Sequence, residues 1–149
     1  MEMLTIFCAG ILGTTIMTGF SHVVELLSGH KFNEAHLLNQ LIGLSKTMKD
    51  YVDNNYYLGW LIHFLIGMSM AAIMYAYYFH FNKDIIIWTG LIFGAALGVL
   101  GVAGWSMIIS NHSNPPKINW TYFFLQLILA HMIFGITVSW ILARFSSYA

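Results

Sequence analysis

Four stretches of this chain, residues 4–24, 58–79, 85–109 and 120–143, contain no Asp, Glu, Lys or Arg. At about 1.5 Å of rise per residue, each is long enough as a helix to cross a hydrocarbon core of about 30 Å. A helix satisfies every backbone donor and acceptor within its own segment, which a lipid-facing run requires. The rest of the composition agrees. Only 8% of the 149 residues are charged and 58% are hydrophobic, whereas soluble domains carry about 25% charged residues. The sequence therefore predicts an all-α integral membrane four-helix bundle, with residues 1–149 forming a single transmembrane domain.

Between the first two spans lies a long loop. Within residues 33–51, Leu37, Leu38, Leu41, Ile42, Leu44 and Met48 recur near helical spacing, with Asn33, Gln40, Lys46 and Lys49 between them. That pattern predicts a short amphipathic helix, either lying in the membrane interface or capping the bundle. The link at residues 80–84 is short, which predicts that the second and third spans are antiparallel neighbours. Trp60, Trp88, Trp105, Trp120 and Trp140 all fall near span ends, where an indole suits the headgroup layer. Lys31, Lys46, Lys49 and Lys117 sit at one end of the spans, against Lys83 and Arg144 at the other. By the positive-inside rule, loops 25–57 and 110–119 are expected to be cytoplasmic.

Equal numbers of acidic and basic residues leave no net charge, so nucleic acid is not expected as a partner. The single Cys8 excludes an internal disulfide. No phosphate-binding glycine loop, nucleophile elbow or metalloprotease motif occurs. The third span carries Gly90, Gly94 and Gly98 at intervals of four, a face on which another backbone can approach closely. Besides the lipid bilayer itself, that face is where a second copy or a membrane-complex partner is expected.

Polar groups within spans are costly when they face lipid, so they are expected to turn inward. His22 precedes Glu25 by three residues, on one helical face, and Thr18 lies one turn back. His63 sits about 8 Å inside the second span and His131 about 16 Å inside the fourth. Gln126 lies well round the helix from His131 and is expected to bond elsewhere. Thr18, His22, Glu25, His63 and His131 are the candidate ligand-binding or proton-relay residues; no catalytic set is legible. Uncharged imidazoles on separate helices are what haem iron or a transition metal requires. His22 and His63, at similar depth, are the candidate ligands. A quinone, hydrogen-bonded by the same groups, is the third ligand class.

The words Gly59-Trp60-x-x-His63-Phe64-x-x-Gly67, Gly10-x-x-Gly13-Thr14-x-x-Met17-Thr18 and His131-x-x-x-Gly135 resemble a group of small bacterial four-helix inner-membrane proteins assigned to domains of unknown function. The resemblance implies the fold and a bacterial inner-membrane location, and no activity. Three functional readings stay open from the sequence. One is a membrane module whose histidine-containing pocket binds a redox-type ligand (haem, metal or quinone) or passes protons. The second is a structural or accessory subunit, and the third a small dimeric transporter.

Overall fold

The structure, a computed structural model, describes residues 2–44, 56–82 and 84–146. These form five helices and no strand: α1 (Glu2–Ser28), α2 (Glu34–Leu44), α3 (Tyr57–His80), α4 (Ile87–Asn111) and α5 (Trp120–Phe145). All but α2 are long and apolar enough to cross a membrane. Their outward faces are Leu, Ile, Val and Phe, as on Leu12, Leu65, Ile92 and Leu129. Cys8 also faces outward. Such a surface is stable only in an apolar solvent.

Local chemistry explains the helix ends. Gly29 takes the left-handed conformation (φ 70°) and its N–H donates to Glu25 O at 2.9 Å, which stops α1 and turns the chain back over it. At the start of α4, Ile86 N donates to Thr89 Oγ1 at 3.3 Å. Asn119 Oδ1 accepts from Tyr122 N at 3.3 Å and caps α5. These bonds satisfy end groups that the helices themselves leave open.

The most enclosed helix is α5. It packs against α4 on one side and α1 on the other, and α1 in turn packs against α3. Glycines set these approaches. A side chain on Gly94 or Gly135 would strike the facing backbone of α5 or α4. One on Gly98 would meet Ile128 Cα of α5 at 2.8 Å, and one on Gly10 would meet Met68 Cα of α3 at 2.7 Å. The stripe Gly90, Gly94 and Gly98 is thus filled by α5 within the chain. Where lipid supplies no hydrophobic drive between helices, such close contact supplies dispersion energy instead.

The expected pairing of the second and third spans is corrected here. Although a short link joins them, α3 and α4 are not packed along their lengths. They meet near the link, where the Tyr77 and Phe93 rings lie 5.1 Å apart and the Tyr78 and Thr89 hydroxyls are 3.1 Å apart. Farther on they diverge, because each follows its own partner, α1 or α5. Trp105 is a second correction. It is buried, edge-on to Phe123 at 5.1 Å, and serves the core instead of the headgroup layer.

The amphipathic segment is α2, which packs on the start of α3; residues 45–51 of the expected segment lie outside the described residues, as do Lys46, Lys49 and Lys83. Asn39, fully buried, accepts from Gly59 N at 2.8 Å through Oδ1 and donates to Tyr56 O at 2.7 Å through Nδ2. It therefore caps α3 from another helix. Replacing it, Asn39→Ala, is expected to cost about 1–3 kcal/mol, because a buried helix-end N–H loses its acceptor. Thermal unfolding in detergent would read this, and an unchanged melting temperature would refute the capping role.

Candidate functional site

One face of α3 is built from Gly59, His63, Gly67 and Ala71, each four residues after the last and all buried. Gly59 admits α2, and Gly67 admits the Thr14 hydroxyl of α1. His63 stands between them, its Nε2 2.9 Å from Thr18 Oγ1. Thr18 donates its only proton to Thr14 O at 2.7 Å, so its oxygen accepts from His63 and the Nε2 carries the hydrogen. In the uncharged ring, Nδ1 then keeps a lone pair.

His131 is arranged in the opposite sense. Its Nδ1 is 2.8 Å from Leu127 O one turn back on α5. A carbonyl can only accept, so Nδ1 carries the hydrogen and Nε2 the lone pair. That edge of the ring faces Gly101 of α4, where an added methyl would lie 3.4 Å from Cε1 and 3.6 Å from Nε2.

Both rings border one cleft of about 240 Å³, between the diverging parts of α3 and α4. Met17 of α1 and Leu127 and Phe134 of α5 line it further in, and Glu34 and Leu38 of α2 contribute from that helix. Ile66, Leu100 and Ile108 also border it and are well exposed on the outer surface. The opening is therefore lateral and apolar. Besides the two imidazoles and one carboxyl, the lining is glycine and apolar side chains, with the Met17 and Met70 thioethers and the Trp105 indole among them.

That carboxyl, Glu34, is the residue the sequence reading missed. Only 2% of it is exposed. Its Oε1 lies 3.2 Å from Ser21 Oγ, whose one proton is shared with Met17 O at the same distance, and Ser21 Oγ accepts from Gln126 Nε2 at 2.7 Å. Its Oε2 is buried with no hydrogen-bond partner. Burial pushes the Glu34 pKa up from 4.5 to about 7, against its own backbone N–H and the Ser21 hydroxyl, which hold it down. The carboxyl can thus change charge near neutral pH. The signal available in the sequence was the acidic first turn of a helix otherwise apolar on one face.

The other candidates lie elsewhere. His22 is exposed and borders a separate hollow with Thr15, Thr18, His36 and Trp60. Glu25 Oε2 accepts from Phe32 N at 2.8 Å and Asn33 N at 3.1 Å, holding the loop before α2. Thr18 touches the cleft only through His63. His22 and His63 border different cavities. Among the described residues no group of three or more His, Cys, Asp or Glu is placed to hold a metal ion.

Four apolar helices around a laterally open cleft define the class, a small polytopic helical membrane protein. The model of a family of unknown function, DUF6789, matches residues 2–149, and the chain belongs to that family. No curated protein and no solved structure matches it.

Proposed function

We propose that this protein is a membrane-embedded binding module for a small lipid-soluble ring compound bearing hydroxyl groups, of the quinol type. The observation that carries this reading is the arrival of His63 and His131, from different helices, at the same apolar cleft. Each ring has one nitrogen occupied by the protein and one left to accept a hydrogen bond. Two acceptors in a hydrocarbon setting favour a ligand that brings donors, since an unpaired polar group there is costly on either side. A volume of about 240 Å³ suits one substituted ring. Among the described residues no three His, Cys, Asp or Glu side chains are placed to hold a metal ion together, although Glu34 borders the same cleft as the two imidazoles.

Calorimetric titration of the protein in nanodiscs with hexylresorcinol, a redox-inert diphenol, tests the reading. Saturable binding is expected, weakened about tenfold by His131→Leu, the effect of losing one hydrogen bond in a site without water. Gly104→Leu should abolish binding while leaving the fold intact, because Gly104 borders the cleft and a Cβ there meets nothing within 4 Å. Equal binding to Gly104→Leu and wild type would refute the cleft as the site.

A further inference from the structure

The cleft wall has a third titratable member, and its chemistry differs from that of the imidazoles. Glu34 reaches the cleft from α2, is almost wholly enclosed, and keeps Oε2 without a partner. An enclosed carboxyl oxygen with no protein donor or acceptor is expensive unless something else meets it. The cleft is the space from which a ligand could do so. We propose that Glu34 is a ligand-binding residue that switches the site between two ligand forms: ionised, it accepts from a ring hydroxyl, and protonated, it donates to a ring carbonyl.

The surroundings make Glu34 the group that can reverse its role. The His63 and His131 lone pairs are acceptors, and each ring's hydrogen is already donated within the protein. Of the titratable groups facing Glu34, α1 contributes Glu25, whose charge raises the Glu34 pKa. His63 comes from α3 and His131 from α5. From α4 the cleft receives Leu100, Gly101, Gly104, Trp105 and Ile108, none of which titrates. Among the described residues no Lys or Arg borders the cleft, so none of them offers ionised Glu34 a cation there. What favours its ionised form is its own backbone N–H and the Ser21 hydroxyl, the latter itself held by Gln126. With the pKa near neutrality, a modest pH change exchanges one hydrogen-bonding character for the other. No covalent or redox step is involved; the proton comes from and returns to solvent.

This inference rests on the binding reading above, and the two fail differently. Affinities of hexylresorcinol and of an alkyl benzoquinone would be measured in nanodiscs roughly two pH units below and above the Glu34 midpoint. In wild type the diphenol is expected to bind about tenfold more tightly at the higher pH, and the benzoquinone about tenfold more tightly at the lower, one charge-assisted or neutral bond each. Glu34→Gln should flatten both dependences, since an amide does not titrate. Ser21→Ala, which removes the hydroxyl that favours the ionised form, should move the midpoint to higher pH. Binding with the same pH dependence in Glu34→Gln as in wild type would overturn the switch and leave the binding module standing. Binding of neither compound to wild type would overturn both.

Discussion

Relative to the Glu34→Gln variant, wild-type protein is expected to lose thermal stability as the pH rises from about 4.5 to about 7. Burial raises the folded-state pKa of Glu34 above its ordinary value, so the folded chain holds this proton more tightly than the unfolded one. The stabilisation is therefore complete below the unfolded pKa of 4.5 and gone once the pH has passed the folded value of about 7. A gap of about 2.5 pH units, at about 1.4 kcal/mol each, amounts to something on the order of 3 kcal/mol. Melting curves followed by circular dichroism in detergent, over a series of buffers, would show it. Parallel pH profiles for the two proteins would mean that Glu34 is solvated, and would remove it from the cleft wall.

An equally large loss is expected from Gly135→Leu, which should drive α5 away from α4. A Cβ at this position would run into Gly90 O and lie 2.8 Å from Gly94 Cα and 2.9 Å from Gly94 N. Everything it meets is backbone, so no side chain can swing aside. Overpacking of a close contact costs about 1–3 kcal/mol when neighbours can yield; against helical backbone we expect about 3 kcal/mol or more. Gly104→Leu is the matched control on α4, where the same change meets open space. If both variants melted with wild type, the α4–α5 contact would be looser than described. If both collapsed, size itself and not the crossing point would be responsible.

The spans were legible because a charge-free run of this length permits few structures, and α1, α3, α4 and α5 fall where those runs predict. Which spans pack together was not legible from link length. The link between α3 and α4 constrains their ends alone, while Gly10, Gly94, Gly98 and Gly135 draw the two helices onto different partners. His63 and His131 could be named as intramembrane histidines from their position in the runs. Their approach to one cleft could not, since it depends on that divergence. The spacing of His22 and Glu25 put them on one face of α1. It said nothing of the left-handed turn at Gly29, which brings the Phe32 and Asn33 N–H groups back to the Glu25 carboxylate. Glu34 was read past for a related reason. A carboxylate in the first turn of a loop helix is ordinarily solvated and favoured by the helix dipole. What encloses it is the docking of α2 beside Ser21 of α1, a tertiary event with no periodic signature.

The lateral opening bordered by Ile66, Leu100 and Ile108 has a consequence for how such a site fills. A guest entering by that route arrives already dissolved among acyl chains, so its dose is a mole fraction in the bilayer and not a molarity in the surrounding water. Partitioning does the concentrating, and a cleft of modest intrinsic grip can be well occupied at aqueous levels too low to detect.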